Sequence, residues 1–128
     1  MDTTKAKPVI LAVDDSPVIL RTVLSILSSD YKVFTLPTPT ELETVLLKIK
    51  PDLFLLDYKM PKVSGFDLIP LIRGVEAHKY TPIIFLTSEG SVDNLTAAMA
   101  LGACDFIVKP FTADVLRGKI AKQLAKTK

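Results

Sequence analysis

At 128 residues the chain has the length of one domain with a single sizeable core. Hydrophobic residues make up 48% and charged residues 23%, which fits a globular protein and excludes a disordered one, and a net charge of +2 gives no electrostatic case for nucleic-acid binding. A single cysteine, Cys104, excludes an internal disulfide and a thiolate metal site. Its expected role is a small buried hydrophobe in a reducing compartment. The opening residues lack a signal-peptide core, because the apolar stretch Val9 to Val13 is broken at once by Asp14. No apolar run nears the ~20 residues of a membrane-spanning helix. A cytoplasmic location is the expectation.

Strand-like apolar runs alternate with helical patterns along the chain. The first run, "PVILAV" (8–13), is followed by Ser16 and Pro17, an N-cap with proline at the first helical position. Ile19, Val23, Ile26 and Leu27 then recur at helical spacing. After "YKVFTL" (31–36), the segment Thr38-Pro39-Thr40-Glu41 reads as a capping box ahead of Leu42, Val45, Leu46 and Ile49. "DLFLLD" (52–57) leads to Ser64-Gly65-Phe66-Asp67, the start of a third helix that Pro70 should kink or shorten. "PIIFLT" (82–87) precedes a fourth helix capped by Ser91 and stopped before Gly102. "CDFIVK" (104–109) precedes a fifth, capped by Thr112, with Val115, Leu116 and Ile120 expected inside and Lys119, Lys122 and Lys126 outside. Runs one, three and four are nearly continuous in apolar residues, as strands covered on both faces are. Five strand-helix repeats predict an α/β fold: a doubly wound, flavodoxin-like five-stranded parallel sheet of order 2-1-3-4-5. No linker or second domain is visible, so residues 1–128 read as one domain with its core at about 7–126.

Open α/β sheets bind ligands beyond the carboxyl ends of their strands. Run one ends there in Asp14 and Asp15, run three in Asp57, run four in Thr87 and run five in Lys109; run two offers only Leu36 and Pro37. Any one polar strand end is commonly just a solvated loop residue, but these five fall on the four adjacent strands of the expected order. Three carboxylates in one crevice repel each other unless a cation intervenes. All the donors are hard oxygens, and the only histidine, His78, lies elsewhere in the chain. That set suits Mg²⁺ rather than zinc. Asp57 then has a different task available, because a carboxylate can act as a nucleophile and form an acyl phosphate. Lys109 would add a second cation at the transferring group, and Thr87 a hydrogen bond to it.

The stretches "VDDSP" (13–17), "LLDYKMPKVSGFDL" (55–68), "PIIFLTSEG" (82–90) and "GACDFIVKPF" (102–111) resemble the receiver domain of two-component response regulators, the CheY-like family, over essentially the whole chain. The resemblance implies Asp57 as phosphoacceptor. It implies Asp14, Asp15, Asp57 and the backbone carbonyl of Lys59 as Mg²⁺ ligands. Thr87, with Ser88 beside it, is implied as the switch hydroxyl, Lys109 as the phosphate-contacting lysine with a cis bond to Pro110, and Phe106 as the aromatic switch residue. Phe106 lacks the hydroxyl of the tyrosine also common there. The implied function is a signalling switch that takes its phosphoryl group from a histidine kinase or phosphotransfer protein. It would then reshape the surface of the fourth helix, fifth strand and fifth helix for a downstream protein, with no nucleic acid or membrane as direct partner. An aspartate-nucleophile phosphatase is the enzymatic rival, but such enzymes typically carry a second acid two residues after the nucleophile, where this chain has Lys59. A passive binding module is the other rival, opposed by the presence of all five site residues. Lys59 and Glu89, each two residues beyond a site residue, are expected to face each other across the crevice mouth and set the lifetime of the phosphoryl group. The sequence leaves open whether the receiver stands alone or belongs to a longer chain.

Overall fold

A computed structural model describes residues 7–60, 63–88, 96, 99–100 and 102–126. The chain runs β1 (Val9–Val13), α1 (Pro17–Leu27), β2 (Lys32–Leu36), a 3₁₀ turn (Pro39–Glu41), α2 (Leu42–Leu46) and β3 (Leu53–Asp57). A two-rung antiparallel ladder follows, pairing Lys59–Met60 with Val63–Ser64. Next come α3 (Gly65–Arg73), a 3₁₀ turn (Glu76–His78), β4 (Ile83–Thr87), β5 (Asp105–Val108) and a C-terminal helix (Ala113–Lys126). The five main strands form one parallel sheet in the order β2-β1-β3-β4-β5, as the alternation predicts.

Side chains alternate across each strand, so the sheet has two apolar faces. Leu11, Val13, Phe54, Leu56, Ile83 and Phe85 face α2 and α3, where Leu42, Leu68, Ile69 and Ile72 cover them. Ile10, Ala12, Leu53, Leu55, Ile84, Leu86 and Ile107 face α1 and the C-terminal helix, against Leu20, Val23, Leu27, Leu116 and Ile120. Each such side chain contributes about 1.5–3 kcal/mol when fully buried. β3 is buried at every position from Leu53 to Asp57, so its carboxyl end opens at the centre of the sheet.

Two helix starts form as the sequence predicts. Ser16 Oγ accepts from the Ile19 N–H at 3.3 Å, and Thr112 Oγ1 accepts from the Val115 N–H at 3.2 Å. Gly102 has φ of +113°, the left-handed conformation of a helix-ending glycine. Ser91 and most of the fourth helical pattern lie outside the described residues. Four expectations are corrected. Thr38 Oγ1 accepts from the Thr40 N–H at 3.4 Å, which tightens the expected capping box into a 3₁₀ turn, so α2 has only five residues. α3 is not shortened at Pro70 but continues to Arg73, because its other backbone bonds and the burial of Ile69 and Ile72 outweigh the missing N–H. On the C-terminal helix Val115 is 44% exposed, while Lys119 turns partly inward to a carboxylate on β5. Cys104 is half-buried rather than buried, because it lies in the loop before β5, where one side of the chain faces a cleft.

Candidate functional site

β1 delivers Asp14 to the carboxyl edge of the sheet, where its backbone N–H still reaches Leu36 at the end of β2. The Asp14 side chain is fully buried. Its Oδ1 accepts from the Ser16 backbone N–H at 2.9 Å, the same serine whose hydroxyl caps α1, so the acid and the helix start are locked together. Asp14 Oδ2 meets the Lys109 ammonium in an ion pair at 2.9 Å. Asp57 closes β3 at 4% exposure, and its Oδ1 lies 3.2 Å from the same ammonium. Asp15 is exposed, yet one carboxylate oxygen from each of Asp14, Asp15 and Asp57 falls within 4.8 Å of the others.

Three carboxylates and one ammonium leave two negative charges uncompensated, the charge of one divalent cation. Asp57 records that strain. Burial first, and then the Asp14 charge, push its pKa up to about 6, although Lys109 pulls the other way. Burial alone would lower the Lys109 pKa, but the two carboxylates outweigh it and raise it. The donor set is all hard oxygen, and the buried Asp14 Oδ2 has the Lys109 ammonium as its one close partner among the described residues. Both features fit a small divalent cation such as Mg²⁺.

The remaining expected residues fall around this core. Thr87 is 5% exposed at the end of β4, one residue beyond the level of Asp57, which pairs in register with Leu86. Ser88 follows it and is exposed. The Lys109 backbone N–H donates to the Thr87 carbonyl at 2.7 Å, and the Lys109–Pro110 bond is cis. Phe106 pairs with Phe85 and Val108 with Thr87, so Phe106 and Thr87 share one face of the sheet. The Lys59 backbone N–H donates to Asp57 Oδ1 at 3.4 Å, and its side chain is exposed. Glu89 lies outside the described residues. Gly65, which the sequence places at the start of the third helix, also belongs to the site's frame. Its N–H donates to the Tyr58 carbonyl at 2.8 Å, and a Cβ there would stand 2.8 Å from the Asp57 carbonyl oxygen and closer still to the Phe85 ring.

The family model of the response regulator receiver domain matches residues 10–121. The chain belongs to this family. Among solved structures the receiver is similar to the chemotaxis protein CheY4 of Vibrio cholerae, with 32% identity and a TM-score of 0.88 over 92% of this chain and 99% of that one. It is 29% identical over 121 residues to the phosphate regulon transcriptional regulatory protein PhoB of Pseudomonas aeruginosa, covering 94% of this chain and 53% of PhoB. Over 76 residues it is 40% identical to the luminescence regulatory protein LuxO of Vibrio campbellii, covering 59% of this chain and 16% of LuxO. The receiver thus spans at most about half the length of these two curated relatives. No helix among its described residues is long and apolar enough to cross a membrane.

Proposed function

We propose that this receiver is a phosphorylation-operated switch that accepts a phosphoryl group on Asp57 from the phosphohistidine of a histidine kinase or phosphotransfer protein. The observation that carries this reading is the Asp57 carboxylate, held nearly buried at the centre of the sheet edge with Lys109 against one oxygen and two further acids beside it. An Asp57 oxygen attacks phosphorus while the P–N bond breaks, its electron pair stays on the donor nitrogen, and the imidazole, already protonated on its other ring nitrogen, leaves neutral. A pKa of about 6 keeps Asp57 mostly ionised at neutral pH. Lys109, already beside the acceptor, transfers its charge contact to the phosphoryl oxygens, and Thr87 donates to one of them. Asp14, Asp15, Asp57 and the Lys59 carbonyl are the proposed holders of Mg²⁺, which when bound supplies further positive charge to those oxygens.

The inward pull on Thr87 would reach Phe106 on the same sheet face and reshape the surface around β5 and the C-terminal helix for a downstream protein. Lys59 and Glu89 would govern how readily water reaches the acyl phosphate. No turnover of external phosphate esters is expected, since Lys59 occupies the place where aspartate-nucleophile phosphatases carry their second acid. Intact-mass analysis after incubation with acetyl phosphate and Mg²⁺ tests the reading. The parent should gain one phosphoryl group and lose it again with time. Asp57→Asn should gain none while keeping its circular dichroism spectrum, and a chelator should block the parent. Stoichiometric uptake by the Asn variant would sink the assignment.

A further inference from the structure

The face-sharing of Thr87 and Phe106 leaves open what holds the Phe106 ring at rest. β5 is the last strand of the sheet, so one of its edges pairs with no other strand among the described residues. Asp105 pairs in register with Ile84, which faces the C-terminal helix, whereas Phe106 points to the opposite face. Lys119 of that helix bridges the two. Its Nζ lies 2.9 Å from Asp105 Oδ1 and 5.0 Å from the centre of the Phe106 ring. The same Asp105 oxygen accepts from the Phe106 backbone N–H at 2.8 Å. One carboxylate oxygen therefore anchors both the backbone of the aromatic residue and the cation standing over its ring. The two charged side chains are only 34% and 18% exposed, so solvent screens the arrangement incompletely.

We propose that Lys119, oriented by Asp105, is a positioning residue for Phe106, a latch across the sheet edge that holds the ring in its resting place and so biases the switch toward its unphosphorylated state. An ammonium above an aromatic face is attracted to the ring, and moving the ring away forfeits that contact. The ion pair keeps the ammonium where the ring needs it. The carboxylate is in turn tied to the Phe106 N–H, so ring, cation and backbone are restrained as one unit. The consequence for the switch rests on the phosphorylation reading, whereas the contacts among Lys119, Asp105 and Phe106 do not depend on it.

The test uses Lys119→Met, which keeps the length and apolar body of the side chain, and Lys119→Arg, which keeps the cation. In the unphosphorylated protein, aromatic ¹H–¹³C spectra should show the Phe106 ring signals displaced in the Met variant and returned close to the parent in the Arg variant. Asp105→Asn should displace them in the same direction as Met. With acetyl phosphate, the Met variant should phosphorylate a few-fold faster than the parent, because less of the population must leave the resting state, and the Arg variant should match the parent. Unchanged ring signals in Lys119→Met would overturn the latch even if the parent phosphorylates normally. Displaced signals with an unaltered rate in a parent that does phosphorylate would overturn its bias on the switch. A parent that takes up no phosphoryl group would sink the phosphorylation reading, and the ring signals would still judge the latch.

Discussion

The two ends of the sheet treat their polar groups in opposite ways. At the amino end, the Arg73 guanidinium donates to three carbonyls, of His78 at 2.8 Å, Thr81 at 2.6 Å and Gly102 at 2.7 Å. His78, 2% exposed, has Nδ1 2.9 Å from the Thr81 hydroxyl and its ring edge-on to Phe54. Asp52 accepts from the Val9 N–H at 2.7 Å. At the carboxyl end, three acids crowd one lysine, whose ammonium is shared between Asp14 and Asp57. The amino end uses its polar groups to hold loops in place. The carboxyl end keeps its charges poorly matched, with an excess of negative charge of the kind a divalent cation could balance.

The largest expected effect lies at the amino end. Arg73→Met removes three hydrogen bonds that tie α3 to the loops before β4 and β5. It should lower stability by about 3 kcal/mol in urea titrations, and a loss below about 1 kcal/mol would show that these loops hold without it. At the carboxyl end the sign should reverse. Asp57→Asn removes a carboxylate whose folded pKa, about 6, is above its ordinary value. Between about pH 4 and 6 the folded parent binds more protons than the unfolded chain, so parent stability falls as pH rises through that window and levels off above it. Free of that loss, the metal-free Asn variant should gain about 2–3 kcal/mol at pH 7; no gain would mean that the acids are matched in a way the geometry does not reveal.

The smallest effect should appear in the same Asn background. Burial, then the charges of Lys50 and Arg73, lower the His78 pKa. The unfolded chain therefore takes up a proton near pH 6.5 that the folded protein refuses until lower pH, and stability declines as pH falls below about 6.5. With the Asp57 titration removed, this gentler slope of opposite sign should emerge in denaturation midpoints between pH 7 and 5. A flat profile would remove the claim that His78 is held neutral.

Strand order and the five site residues were legible because buried parallel strands are continuous apolar runs, and four of the five runs stop on a polar residue while the edge run ends in Leu36 and Pro37. The Ser16 and Thr112 caps were legible because capping chemistry is local. What escaped depends on tertiary distance. Val115 and Lys119 lie on adjoining parts of one helical surface, and apolarity alone assigned the first inward and the second outward. The aromatic ring and carboxylate on an edge strand reversed that order. Gly65 was visible as part of a helix start, but the reason for a glycine there, the oxygen of Asp57 against its α-carbon, needs the folded chain.

Gly65 carries one more consequence. A single hydrogen atom is all that fits between the first turn of α3 and the backbone of Asp57, whereas a Cβ at Gly118 would meet nothing within 4 Å. The two glycines therefore face different histories. The second is free to drift to any residue a solvent-facing helix accepts. The first is closed to substitution by steric exclusion alone, so the neighbourhood of Asp57 would resist change even in a descendant that had lost every use for a phosphoryl group.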